Sequence, residues 1–388
     1  MKSILFFILI LAALLSACQS NPPTESTINS PNVSPSIQTN KPTSIPSSPT
    51  QTTPNTPTPL PPTPSPSPSP SPTNNPTPTQ PPITTLLFTG VIVPARCVQA
   101  KIDELGDPYY PYEEVSDIIN SADLAIGTLN ATISDFPPRT GCVRTYVLVG
   151  GADNADALAE AGFDAMSVAT NHIKNCGPAN CGDRAFYDTL DNLNRVGIAP
   201  IGAGVDHDDA MQPVVLEIND VRFGFVSLGQ IEPFAFAGEN EPGIAVLNEE
   251  NIRQAIVDAR QVSDVVIFMP HWGPEDVATP NWIQRNLAKE IVVAGADLVV
   301  GNHTHVVQAI QEIYGVPVFY GLGNFVFDQD LEDHQQGVIL LVTFEGTELV
   351  SYELIPTHVD EDGRVHIAGP EEAAEILDRI ERVSQSIR

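Results

Sequence analysis

Seven short, largely apolar runs constrain this chain more than any other feature: Leu86-Leu87-Phe88, Leu124-Ala125-Ile126, Ala165-Met166-Ser167-Val168, Phe223-Gly224-Phe225-Val226, Val265-Val266-Ile267-Phe268, Leu298-Val299-Val300 and Val316-Pro317-Val318-Phe319. Runs of this length without polar alternation suit strands buried on both faces. Helix-period stretches lie between them, over 152–161, 184–196, 249–262 and 282–294, the second and fourth closed by Gly197 and Gly295. Such alternation specifies an α/β fold with covered sheets. After Gln336 the pattern changes to two antiparallel strands, around 338–342 and 349–355, and then an amphipathic helix over 371–387 with Pro370 in its first turn.

The polar residues concentrate where these strands end. One run leads into Thr170-Asn171-His172, another into His271-Trp272-Gly273, a third into Gly301-Asn302-His303-Thr304-His305, a fourth into Gly323-Asn324. Ligands of open α/β sheets bind outside the carboxyl ends of the strands. Histidine is scarce, eight in the chain, and four lie at these ends. His303 and His305 are two apart, so an extended backbone would turn both to one side. Trp272 would line the site with them, whereas Trp282 reads as core. Asp206-His207-Asp208-Asp209 reads as a solvated helix start, and Gly202-Ala203-Gly204 as a turn, since the second half of a nucleotide-binding fingerprint is missing.

The first fifth of the chain cannot pack. Most of its 37 prolines precede residue 82. Ile4 to Leu15 is an apolar run too short to span a bilayer comfortably, preceded by Lys2 and followed by Leu15-Ser16-Ala17-Cys18. That ending resembles a bacterial lipobox, with cleavage before Cys18 and lipid on its sulfur; an ordinary cleaved signal is the alternative. The expected organisation is a signal peptide over 1–17, a lipidated Cys18 and a disordered Pro/Ser/Thr-rich tether over 18–85, and a folded domain over 86–388. The tether could reach about 200 Å when extended. It places the domain outside the cytoplasm, anchored to the cell membrane. Cys97, Cys142, Cys176 and Cys181 remain, an even number that reads as two disulfides in an oxidising compartment. Of three pairings, Cys176 with Cys181 closes a short loop and leaves Cys97 with Cys142; four thiolates on zinc is the competing idea. The net charge of −30, from 48 acidic and 18 basic residues, excludes nucleic acid as a partner.

Taken together, Gly90, Thr128-Leu129-Asn130, Asn171-His172, His271-Trp272-Gly273, Gly301-Asn302-His303-Thr304-His305 and Gly323-Asn324-Phe325-Val326-Phe327-Asp328 resemble the CapA family of capsule or poly-γ-glutamate synthesis proteins. The resemblance spans about 86–357. It implies a calcineurin-like metallophosphatase fold, two packed mixed sheets flanked by helices, with a dinuclear metal site. Three carboxylates of that site are replaced here. Val91 follows Gly90 where the family has Asp, Asn130 stands where the family has Glu, and Asn175 where it often has Asp. What the resemblance leaves is Asn171, His271, His303 and His305 as metal ligands with Asn130 nearby, enough for a single zinc or for no metal at all. It gives His172 the role of acid or charge stabiliser, and Trp272 and Asn324 substrate contacts. The function it implies is a surface accessory that handles an extracellular anionic polymer, or works with its synthesis machinery, through a reduced metal site. The alternative is a single-zinc phosphoesterase acting on an envelope substrate.

Overall fold

Residues 265–269 show why the runs are unbroken. Val265, Ile267 and Met269 pack into one core, while Val266 and Phe268 pack into another on the opposite face. A strand buried on both sides has no position for a polar side chain. The computed structural model describes residues 81–137, 141–176 and 183–388. The described residues fall within one compact unit. The signal peptide, Cys18, nearly all of the tether, and Cys181 lie outside the described residues.

The first sheet contains β1 (Ile83–Ile92), β2 (Leu124–Leu129), β3 (Ala165–Ser167) and β4 (Ala199–Ile201), and the second begins with β5 (Val214–Ile218), β6 (Val221–Gly229), β7 (Val265–His271) and β8 (Leu298–Val300). Next come β9 (Ile310–Ile313) and β10 (Val316–Phe319) in the second sheet, then β11 (Asn324–Val326), β12 (Gln336–Glu345), β13 (Glu348–Val359) and β14 (Val365–Ile367) in the first. The first sheet runs β14-β13-β12-β1-β2-β3-β4, with β11 also on β1; the second runs β9-β10-β8-β7-β6-β5. Strands β1 to β4 are mutually parallel, β12 to β14 antiparallel, so the sheet is mixed. The second sheet is parallel through β6, β7, β8 and β10 and antiparallel at both edges.

Three cores separate four layers. Phe88, Ile126, Phe223, Phe225, Ile267 and Leu340 fill the space between the sheets. The outer face of the first sheet packs on α1 (Cys97–Leu105), α2 (Asp153–Ala161) and α3 (Arg184–Arg195) through Val98, Leu158, Phe186 and Leu193. The outer face of the second packs on α4 (Glu249–Val262) and α5 (Trp282–Ala294) through Ile256 and Ile291. The terminal helix α6 (Pro370–Ser386) contributes Ile376 and Ile380 to the inter-sheet core. No helix among the described residues is long and apolar enough to cross a membrane.

The domain starts earlier than residue 86. Thr84 and Thr85 already pair with Phe344 and Thr343, and Thr84 is buried. Their place in the polar tract hides them, but β12 supplies a complete partner. The Cys97–Cys142 disulfide is formed, and Cys176 is also disulfide-bonded. Asp206 caps the turn that follows it, its side chain accepting from the Asp209 amide, which agrees with a helix start.

Candidate functional site

The carboxyl ends of β2, β3, β7 and β8 face one locus, and the chain reaches it by different means. His271 closes β7, and Asn302 pairs with it just beyond β8. The loop after β8 is not extended: His303 and His305 take positive φ angles of 107° and 60°. Side chains rarely adopt that region, so the turn stores strain at the site. Strain of this turn, not strand alternation, sets the two rings 6.1 Å apart. Gly301 admits the turn because a Cβ there would overlap the Trp272 indole and the Tyr320 carbonyl.

Three groups converge. His271 Nε2 lies 2.9 Å from Asn171 Oδ1 and 3.1 Å from His303 Nδ1. His271 Nδ1 is buried with no hydrogen-bond partner among the described residues. Two further imidazoles are oriented by amides. Asn175 Oδ1 accepts from the Leu148 amide at 3.0 Å, which fixes the amide's sense, so His172 Nδ1, 2.8 Å away, donates to it. Asn324 Nδ2 donates to the His334 carbonyl, so its Oδ1 accepts from His305 Nδ1 at 2.8 Å. Both rings therefore carry their lone pair on Nε2.

The electrostatics keep these rings neutral. Burial, reinforced by His305 and His172, pushes His303 down to about 3. Burial likewise pushes His305 down to about 4, against the Asn324 hydrogen bond. His271 is held well below the ordinary imidazole value by burial and by His303, His305 and His172, and burial also lowers His172. Glu275 brings a carboxylate near: its Oε1 is 4.0 Å from both His303 Nε2 and His305 Nε2. Burial, then the charge of Asp276, raises its pKa.

A cavity of about 310 Å³ opens beside this cluster, with His172, His305, Glu275, Phe327, Arg96 and Arg144 among its lining. Arg96 is anchored by Asp328, which is wholly buried and also accepts the Cys97 amide at 3.0 Å. The same guanidinium donates to the Thr145 carbonyl and so holds the 141–148 segment, which the Cys97–Cys142 disulfide ties to the start of α1. Arg144 pairs with Asp330 and Glu361, both at least half exposed.

The expected residues separate into groups. Asn171, His271 and His303 meet. His305 and His172 stand at the cavity, each turned by its own amide. Asn130 is at the locus, but its Oδ1 accepts from the His172 backbone amide at 3.3 Å, and its buried Nδ2 has no partner among the described residues. As it stands it offers a donor, not a ligand. Asn324 is buried and fully engaged, so it orients His305 instead of touching substrate. Trp272 is wholly buried, stacked on Tyr320 and bonded to its carbonyl, because it follows His271 on a strand and points to the other face. Trp282 is 67% exposed at the first turn of α5. Glu275, Arg96 and Arg144 are additions that the strand-end pattern does not single out; only the nearness of Glu275 to His271 signals it.

The donor set does not fit a dinuclear centre. Among the described residues no three His, Cys, Asp or Glu side chains are placed to hold a metal ion. Val91, wholly buried, offers methyl groups at the end of β1. Two cations among neutral ligands would repel with little to offset it. Asn171, His271 and His303 supply three donors for one ion, with no negative charge among them.

A model of the family described as bacterial capsule synthesis protein PGA_cap matches residues 85–329. The PGA biosynthesis protein CapA of Bacillus subtilis (strain 168) is 26% identical over 277 residues, 71% of this chain and 71% of that protein. The capsule biosynthesis protein CapA of Bacillus anthracis is 27% identical over 286 residues, 71% of this chain and 68% of that protein. A 5′-nucleotidase precursor from Thermus thermophilus superposes with a TM-score of 0.43 at 14% identity, over 79% of this chain and 59% of that one, a likeness from which no activity transfers.

Proposed function

The chain belongs to the bacterial capsule synthesis family PGA_cap, and from that premise we propose that it is an extracytoplasmic accessory of anionic-polymer assembly. It binds an extracellular polymer such as poly-γ-glutamate, or the machinery that makes it, and does not hydrolyse phosphoesters efficiently. The observation that carries this reading is the pair Val91 and Asn130. Both are wholly buried at the strand ends where metallophosphatase-type chemistry needs carboxylates, and neither brings the negative charge that a water-activating metal centre needs. Lipid on Cys18 anchors the protein, and the segment between Cys18 and β1 lifts the folded domain above the membrane. The Cys97–Cys142 disulfide supports an oxidising compartment. With a net charge of −30 the chain repels a polyanion except where local bases receive it, and Arg96 and Arg144 line the cavity.

The test measures poly-γ-glutamate binding to the purified protein by fluorescence anisotropy, alongside turnover of an aryl phosphodiester. Saturable binding without turnover is the expected result; no binding overturns the polymer-binding reading. A second reading, a single-zinc hydrolase, draws on the meeting of Asn171, His271 and His303. It requires one zinc per chain and turnover that disappears in His172→Ala.

A further inference from the structure

Within that polymer-binding reading, we propose that the cavity receives the amino end of an amino-acid polymer, recognising the terminal ammonium and the carboxylate beside it instead of the repeating chain. The first ground is the sense of the hydrogen-bonding groups. Asn175 and Asn324 take the Nδ1 hydrogens of His172 and His305, which leaves Nε2 of each neutral ring an acceptor, and both residues line the cavity. Glu275 Oε1 lies 4.0 Å from His305 Nε2, too far for a direct bond and near enough for one small donor to serve both. A group with three donors and no acceptor suits such a wall, and an alkylammonium is that group.

The second ground is Arg144, which lines the same cavity. Its partners Asp330 and Glu361 are 53% and 71% exposed, so these pairs are weak and exchangeable. An incoming carboxylate can take the guanidinium, which binds it bidentately. In a γ-linked glutamate chain every residue has a carboxylate, but only the first carries an α-ammonium next to its own.

The third ground is scale. A cavity of about 310 Å³ is at the small end for ligand sites and suits a chain end. The acidic domain repels the body of a polyanion, which favours contact confined to the one residue that is zwitterionic.

The experiment compares two ligands on the full-length protein in detergent, with a chelator present to keep divalent ions from the same acceptors. One is a short γ-linked glutamate oligomer with a free amino terminus; the other is the same oligomer acetylated. Acetylation is expected to weaken binding about tenfold or more, the loss of a charge-assisted hydrogen-bonding group. Glu275→Gln is expected to weaken the free-amino oligomer by about as much while leaving the acetylated one nearly unchanged. Equal affinity of the two oligomers for the unmodified protein overturns the end-recognition proposal and leaves polymer binding standing. Failure of both oligomers to bind, with long polymer still bound, also overturns it. Failure of every form overturns the polymer-binding reading itself.

Discussion

At the residue scale, two side chains set what this site can do. Among the described residues the buried Nδ2 of Asn130 has no partner, and leaving such a group unpaired costs about 1–3 kcal/mol. Val91, wholly buried near the end of β1, offers only methyl groups and belongs to the core between the first sheet and its helices. Restoring charge should restore a metal site: Val91→Asp with Asn130→Glu is expected to unfold more easily than the original protein without metal, because buried unpaired carboxylates are costly. Added zinc should raise its melting temperature and its metal content together. A melting temperature indifferent to zinc would mean that these residues do not face the histidines. Sequence alone shows the histidines, because they interrupt apolar runs. It does not show the strained turn that aims His303 and His305, and it inverts the two tryptophans. Trp272 looks like a site residue beside His271, yet strand alternation sends it into the core, while Trp282 opens α5 in solvent.

At the scale of elements, two tethers hold the walls. The 141–148 segment is fixed by the Cys97–Cys142 disulfide and by Arg96. Closing a loop with a sequence separation of 45 residues contributes about 3–4 kcal/mol in chain-entropy terms. Cys97→Ser should lower the denaturant midpoint accordingly, which a urea melt measures. On the far strands, His366 of β14 lies 2.7 Å from both Glu114 and Asp360 and ties the β13–β14 pair to the segment after α1. Burial lowers its pKa, but the hydrogen bonds it donates to Asp360 and Glu114 outweigh this and leave the group above its ordinary value. A pKa raised by folding gives stability that is complete below the ordinary imidazole value and is lost as pH rises through the folded value. Melting temperature should therefore fall as pH rises past the ordinary imidazole value of about 6.5, and fall less in His366→Gln. The doubly buried strands are legible from their apolar runs. The short pairing of Thr132–Ser134 with Val149–Gly151 is not, since three residues carry no period.

At the scale of the whole molecule, charge decides how a polymer is approached. The domain is strongly acidic, and the proposed ligand is a polyanion. Their long-range interaction is repulsive, so screening should help. Raising ionic strength from about 10 mM to about 150 mM is expected to strengthen poly-γ-glutamate binding in an anisotropy titration. A weakening with salt would indicate a basic binding surface instead. The layered α/β architecture follows from the spacing of apolar runs, and the acidity from composition. Neither reveals which side chains line the cavity, because Arg96, Arg144 and Glu275 come from separate loops that only the folded chain brings together.

The central claim is that the strand ends keep the imidazole and amide half of a metal centre and have lost the acidic half. Titrating the purified protein with zinc by calorimetry tests it most directly. The expected result is no more than one ion per chain, held weakly by Asn171, His271 and His303; two tightly bound ions per chain would show that the acidic half is present.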